Sequence, residues 1–291
     1  MVFDQMVFEI LQFGFMQRAL ISGIAVAVSC SVIGLFLVLR KQSLYGDALS
    51  HVAFGGIAIG LFTNVYPIWT AFAVSILASL GITKLKESTK IPGDSAVAVL
   101  LSAGLATGVV LIGLSGGFSL DLYSFLFGSI LLINYNDQLI IVILTFIILT
   151  IIYKLYRKFI YMAFDEEQAK VSGIDVTKLN YLFIVLASVT VITSVRLVGV
   201  LLISSLIVIP NITAMMFGRG FKKTLLISIF IAVLSVVVGI VISYVMNLAP
   251  GGTIVIISVG VFLAVISMKY SLRIIKGEVE RHRNQVNTIN R

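Results

Sequence analysis

Charged residues are scarce in this chain of 291 amino acids. Only 12% of the residues are Asp, Glu, Lys or Arg, whereas 59% are hydrophobic, and the mean hydropathy is +1.11. A water-soluble domain with so few charged side chains would expose apolar surface and aggregate. The composition therefore excludes a soluble globular protein and indicates an integral membrane protein.

Cysteine and histidine are almost absent. The single cysteine, Cys30, lies in an apolar stretch, so neither an intramolecular disulfide nor a cysteine-based zinc cluster can form. The two histidines do not form an HExxH motif, and the apolar stretches hold no second polar cluster, which argues against an intramembrane enzyme. A GxxxxGK[ST] phosphate loop is also missing, because Gly218 to Lys223 has the wrong spacing. We expect no enzymatic activity and no permanently bound cofactor.

Long apolar stretches, in contrast, are abundant. Nine of them approach or exceed the roughly 20 residues that a helix needs to cross a bilayer core of about 30 Å. They are residues 18–39, 47–63, 67–83, 95–114, 138–153, 177–194, 197–217, 224–246 and 253–268. A further apolar stretch, residues 120–133, is too short for a span and predicts a re-entrant or half-membrane helix packed inside the protein. The expected fold is an all-α polytopic membrane bundle of about eight to nine transmembrane helices with a short cytoplasmic helix.

Positive charge predicts the orientation of these helices. The formal net charge is +8, but the basic residues fall in short clusters between alternate apolar stretches, a pattern typical of cytoplasmic loops rather than of nucleic-acid binding. This places the N-terminus outside and the C-terminus inside. We expect an interfacial N-terminal segment at 1–17, a transmembrane domain at 18–269 and a cytoplasmic polar tail at 270–291, which contains the second histidine, His282, as a solvated residue.

Small residues recur at a spacing that allows helices to pack closely. Gly56 and Gly60, Gly104 and Gly108, and Gly113 and Gly117 each form a GxxxG pattern. These patterns favour a compact bundle.

Asp47 and His51 are the first candidate site. Four residues separate them, so a helix brings both side chains to the same face, where a carboxylate oxygen and an imidazole nitrogen can converge on one ion. Ionisable residues at membrane depth are costly and usually functional. The alternative is an Asp that caps the helix and a His that bonds a neighbouring carbonyl. Zinc and manganese both fit these ligands, and further ligands could be water, backbone carbonyls, Ser50 or the same pair in a second copy.

Residues 165–173 predict a short helix in the longest basic loop. Asp165 is a plausible N-cap, Glu166 and Glu167 would occupy the first turn, and Gly173 would end the helix. A structured cytoplasmic helix in a chain with so little other soluble mass suggests a docking surface for a partner.

Two further positions interrupt apolar stretches. Arg196 is either a snorkelling residue in an outward turn or the partner of a carboxylate such as Asp121 or Asp137 at an outer gate. Pro210, followed by Asn211, must kink or break its helix. A discontinuous helix that lines the pathway would be the functional reading of that break.

Taken together, these motifs resemble the membrane permeases of ATP-binding-cassette importers for zinc and manganese. The resemblance rests on four segments: residues 15–20, residues 38–44, residues 46–51 with the sequence GDALSH, and residues 196–202 leading to Pro210. It implies a homodimeric permease in the bacterial plasma membrane, with ATP bound by cytoplasmic ATPase subunits and metal delivered by an extracytoplasmic metal-binding protein.

Individual residues take roles from this resemblance. Asp47 and His51 match the metal-contacting pair, and residues 165–173, with Asp165, Glu166, Ala169 and Gly173, match the coupling helix. Family members often have Pro-Ala-Ala where this chain has Pro210, Asn211 and Ile212. The segment that begins at Ser50 and His51 is more similar to zinc than to manganese permeases.

We therefore expect the chain to move a divalent transition metal inward across the lipid bilayer, with zinc preferred to manganese. A proton-coupled secondary metal transporter that uses the same pair is the alternative. The counting of basic loops places Asp47 near the cytoplasmic end of its helix, whereas a transport site is expected nearer mid-membrane. Either the preceding loop dips inward, or the first helices have the opposite orientation.

Overall fold

The computed structural model describes residues 12–89, 92–115, 120–130 and 133–289, and their side chains except those of residues 87, 120–122 and 272–289. Within these ranges every regular element is a helix. The α-helices are α1 (Gly14–Leu39), α2 (Tyr45–Thr63), α3 (Pro67–Thr89), α4 (Gly93–Leu114), α5 (Leu120–Phe127), α6 (Tyr135–Lys154), α7 (Tyr156–Phe164), α8 (Glu166–Val171), α9 (Val176–Val198), α10 (Ile203–Met215), α11 (Phe221–Met246) and α12 (Pro250–Ile289). The predicted all-α fold is confirmed.

Eight of these helices are long and apolar enough to cross a membrane: α1 to α4, α6, α9, α11 and α12. The seventh predicted span, residues 197–217, is not one long helix. Helix α9 ends at Val198 with Gly199 as its C-cap, a 3-10 turn follows at Val200–Leu202, and α10 then has 13 residues. A helix of that length extends only about 20 Å, which is less than the bilayer core.

The break in this segment lies at Gly199 and not at Pro210. Gly199 has φ +84°, a conformation that residues with a side chain rarely adopt, and a Cβ there would collide with the carbonyl oxygen of Leu126. Pro210 lies inside the continuous helix α10. The predicted break at Pro210 is therefore wrong, whereas a kink there, the other outcome that the sequence offered, stays a prediction.

The short helix α5 packs against the bundle, since Tyr123 is 51% and Phe127 is 41% exposed, and not inside it as the sequence predicts for residues 120–133. It contacts α9, α12 and the 3-10 turn. The backbone N–H of Ser129, just after it, donates a hydrogen bond to the carbonyl oxygen of Arg196 at 3.1 Å. Protein neighbours therefore satisfy this irregular backbone, as they must at membrane depth.

Glycines fix helix α2 against its neighbours. A Cβ on Gly55 would lie 2.8 Å from the carbonyl oxygen of Gly104 on α4, and a Cβ on Gly56 would lie 2.7 Å from the Cα of Ala71 on α3. Of the predicted GxxxG patterns, those at Gly56 and Gly104 thus lie at real helix contacts. Gly113 has no neighbouring atom within 4 Å among the described residues, and Gly117 lies outside them.

Candidate metal site

The predicted pair lies on helix α2. Asp47 Oδ1 and His51 Nε2 are 3.8 Å apart, and the two side chains are 30% and 15% exposed. This distance is too long for a hydrogen bond. Two ligand atoms that each lie about 2.1 Å from one ion can be up to about 4.2 Å apart, so the pair can hold an ion between its side chains.

Within its described residues, the structure contains neither of the two alternatives for this pair, which were a helix cap at Asp47 and a hydrogen bond from His51 to a carbonyl. The N-cap of α2 is Leu44, and Asp47 lies within the first turn. His51 Nδ1 is buried and accepts or donates no hydrogen bond within the described part of the chain. Ser50 is fully buried, and its hydroxyl donates to the carbonyl oxygen of Asp47 at 2.8 Å.

The described residues supply only these two metal ligands at this place. They include no group of three or more His, Cys, Asp and Glu side chains that could hold a metal ion. The side chain of His282 lies outside the described set. Any closed coordination shell at Asp47 and His51 therefore needs ligands of another kind or from another chain.

The position of the pair relative to α4 follows from one close contact. A Cβ on Gly104 would lie 2.7 Å from both the carbonyl carbon and the carbonyl oxygen of His51. Gly104 lies near the middle of α4, about 16 Å from its first residue. The turn that carries the pair therefore lies beside the middle of α4, and the two explanations that the sequence offers for its depth stay predictions.

A second polar cluster lies at the opposite, non-basic ends of the helices. Arg196 Nη1 donates to Asp137 Oδ2, and its Nη2 donates to the Tyr66 hydroxyl. That hydroxyl donates in turn to Asp137 Oδ1 at 3.3 Å. The side chains of Asp137 and Arg196 are only 5% and 13% exposed. Asp137 is thus the carboxylate partner of Arg196, and the side chain of Asp121 lies outside the described residues.

Aromatic rings complete this outer cluster. The guanidinium carbon of Arg196 lies 5.5 Å from the ring centroid of Tyr66 and 5.7 Å from that of Phe125. Burial raises the pKa of the Tyr66 hydroxyl, an effect that the nearby Arg196 opposes. The phenol therefore stays protonated and can donate to Asp137. Sequence reasoning missed Tyr66, because only the folded chain brings residues 66, 137 and 196 together.

The short cytoplasmic helix α8 has the predicted ends. Asp165 is its N-cap and accepts a hydrogen bond from the backbone N–H of Gln168 at 2.9 Å. Gly173, with φ +77°, donates to the carbonyl oxygen of Lys170 at 3.0 Å. Ala169 is fully buried, so one face of α8 is anchored in the protein.

The other face of α8 is open. Val171 is 90% exposed, and Glu166 forms an ion pair with Lys170 at 3.0 Å on the surface. After the helix, Asp175 caps α9, and hydrogen bonds from Lys178 lower the pKa of its carboxyl group. The segment thus presents an ordered, mostly charged surface with one exposed aliphatic side chain.

Asn211 is fully buried on α10. Its Nδ2 donates to the carbonyl oxygen of Ile207 at 2.7 Å, and its Oδ1 accepts from the Ser228 hydroxyl on α11 at 2.7 Å. Gly34 of α1 packs against the same carbonyl oxygen and amide. These contacts join α10 to its neighbours, so the structure shows Asn211 in a packing role.

Comparison with known proteins places the chain in a family. Residues 12–269 match the model of the ABC 3 transport family, and the chain belongs to that family. Its resemblance to the membrane permeases of ATP-binding-cassette metal importers is thereby confirmed. The chain is a multi-pass permease of the bacterial plasma membrane.

Relatives and a solved structure agree with this assignment. The chain is 30% identical to the manganese transport system membrane protein MntC of Listeria innocua, over 87% of this chain and 90% of that protein. It is 32% identical to the high-affinity zinc uptake system membrane protein ZnuB of Haemophilus influenzae, over 86% and 95%. The structure of PsaBC from Streptococcus pneumoniae in complex with Fab has a TM-score of 0.81 and 31% identity, over 90% of this chain and 95% of that one.

Proposed function

We propose that this permease moves a divalent transition metal inward and that Asp47 and His51 contact the metal during its passage. The observation that carries the proposal is the pair itself: a carboxylate and an imidazole 3.8 Å apart on one helix face, beside the middle of α4. The pair fits one ion, and two ligands hold it weakly enough for release, which transport requires.

A second copy of the chain is the proposed source of further ligands. The same two residues from each copy would place two carboxylates and two imidazoles around a common axis. This arrangement explains why the described residues supply no third ligand. It also fits the commonest form of homo-oligomer, which is a closed two-fold assembly.

Partner proteins supply energy and substrate in this proposal. ATP binds to cytoplasmic ATPase subunits, which dock on residues 165–173, and an extracytoplasmic metal-binding protein delivers the ion to the outer face. Rigid-body movement transmitted through α8 would then open the inner side. The pair of Arg196 and Asp137, tied to Tyr66, is the proposed outer gate, because it joins elements that must separate for the ion to enter.

Zinc is the proposed substrate, and manganese is its nearest competitor. The pair does not separate them, since both metals accept imidazole and carboxylate ligands. Relatives named for each metal are also about equally similar to this chain. We prefer zinc because the segment that begins at Ser50 and His51 is more similar to zinc than to manganese permeases.

Uptake of radioactive zinc and manganese by cells that express the complete importer tests this function. We expect ATPase-dependent uptake of zinc that excess unlabelled zinc competes away better than excess manganese. Uptake that persists with an inactive ATPase but stops when the proton gradient is dissipated would instead support a proton-coupled transporter. Stronger competition by manganese would reverse the choice of metal while leaving the metal site in place.

A further inference from the structure

A cavity of about 430 Å³ lies between the cytoplasmic ends of α3, α4 and α9 and the loop that joins α1 to α2. Three basic side chains line it, namely Arg40, Lys41 and Lys86, against one acidic residue, Asp94. Neither Asp47 nor His51 contributes to the lining. Because the excess charge is positive, the cavity repels a divalent cation and attracts an anion.

Arg40 is fixed at the wall of this cavity with a donor to spare. Its Nη2 donates to Asn180 Oδ1 at 2.9 Å, and its guanidinium carbon lies 5.4 Å from the ring centroid of Phe183. Its Nη1 is buried and has no hydrogen-bond partner among the residues that the structure describes. A buried charged donor without a partner is costly, and because Arg40 lines the cavity, an anion bound there would compensate the charge of its guanidinium.

The charges around Arg40 do not compensate for its burial. Burial lowers the pKa of its guanidinium, although Glu166 acts in the opposite direction. Lys86 adds a second positive charge near the start of α4, where its Nζ lies 3.2 Å from the position of a Cβ on Gly93. The cavity therefore combines an anchored guanidinium with flexible lysines, a set of donors suited to phosphate oxygens.

Part of the cavity wall is apolar. Ile82 on α3 and Val97 on α4 line it. Leu85, one helical turn after Ile82, is 43% exposed. An anion with acyl chains can use these apolar side chains as well as the basic ones, which a free ion cannot do.

We propose that this cavity binds the phosphate of an anionic phospholipid head group, such as phosphatidylglycerol, from the cytoplasmic leaflet. Basic pockets between transmembrane helices on the cytoplasmic side bind such head groups. Because the loop that lines the cavity leads directly into α2, a lipid bound there would fix the start of the helix that carries Asp47 and His51. The lipid site itself does not depend on the proposed metal site.

Native mass spectrometry of the purified importer, titrated with phosphatidylglycerol or phosphatidylcholine, tests the proposal. The informative variant is Lys41→Gln/Lys86→Gln, since both side chains are exposed and their replacement leaves the core intact. Each basic side chain near an anionic lipid contributes about fivefold in affinity. We therefore expect this double variant to bind phosphatidylglycerol about 25-fold more weakly than the wild type. Lys222→Gln/Lys223→Gln removes the same charge from the first turn of α11, away from the cavity, and should bind like the wild type.

Three results would overturn the proposal. These are wild-type affinity in Lys41→Gln/Lys86→Gln, an equal loss in Lys222→Gln/Lys223→Gln, and equal binding of the two lipids. Competition by millimolar inorganic phosphate is a further test. If phosphate displaced the lipid completely at the same concentration as the lipid, a free anion and not a lipid would be the occupant. Arg40→Gln serves as a second variant, for which we expect weaker binding of phosphatidylglycerol at an unchanged amount of assembled importer, and wild-type affinity in this variant would also contradict the proposal.

Discussion

At the scale of single residues, the cost of burying polar groups explains where chemistry occurs in this permease. Asp137 is almost completely buried, yet it has Arg196, Tyr66 and the cap at Asn134 as partners. His51, in contrast, leaves Nδ1 buried without a partner among the described residues. The buried carboxylate of Asp137 thus has its charge compensated within the described residues, whereas His51 Nδ1 has no such partner.

The ion pair at the outer cluster predicts an asymmetric effect of substitution. Arg196→Gln leaves the buried carboxylate of Asp137 uncompensated, so we expect a loss of about 3 to 5 kcal/mol in stability. Asp137→Asn/Arg196→Gln removes both charges and should recover part of that loss. Thermal unfolding of the purified protein measures both effects, and equal melting temperatures for the single and double variants would show that the pair does not carry this energy.

Residue spacing made part of this site predictable. Asp47 and His51 could be paired from sequence because a helix sets the neighbours at four residues by local geometry. The link from Arg196 to Asp137 was one of two carboxylate pairings that the sequence left open. Tyr66 could not be found in this way, because its place beside them depends on how three separate helices pack.

At the scale of helices, glycine decides how closely α2 approaches its neighbours. The length of the apolar stretches located the long helices well, because apolar runs of this length form helices in a bilayer. It failed at residues 197–217, where the apolar run is continuous but Gly199 ends the helix. Pro210 misled the prediction, because its missing N–H is tolerated inside α10.

Substitution of Gly104 tests the packing of the turn that carries Asp47 and His51. In Gly104→Ala the new methyl group would lie 2.6 Å from the backbone nitrogen of Val52 and 2.7 Å from the carbonyl of His51. Backbone atoms cannot move aside cheaply, so we expect a loss of about 1 to 3 kcal/mol in stability and reduced metal uptake.

Gly113→Ala on the same helix is the matched control, since it meets no described atom within 4 Å and alanine favours a helix. Melting temperature and uptake, measured at equal amounts in the membrane, compare the two variants. If both behaved alike, close contact at Gly104 would not position α2.

The exposed face of α8 provides another test at this scale. Val171 is 90% exposed, so Val171→Asp should leave the melting temperature of the permease unchanged within about 0.5 kcal/mol of stability. If α8 is the docking site, the same change should weaken binding of the ATPase subunits in a pull-down of the complex. Normal assembly of Val171→Asp would contradict docking at this side chain.

At the scale of the whole molecule, the packing of neighbouring helices places Asp47 and His51 beside the middle of α4. The basic residues 40 and 41 come just before the helix that carries this pair. Counting charges gives orientation and not depth, because depth depends on contacts such as that between His51 and Gly104. A site near the cytoplasmic end of its own helix can therefore lie beside the middle of a neighbouring one.

The central claim, that Asp47 and His51 together contact the transported metal, is tested most directly by uptake of radioactive zinc and manganese in Asp47→Ala and His51→Ala. Each variant is compared with the wild type and with His282→Ala at equal amounts in the membrane. The account predicts that each site variant loses at least about tenfold of its metal uptake, while His282→Ala keeps wild-type uptake. Normal uptake of both metals by Asp47→Ala and His51→Ala would contradict it.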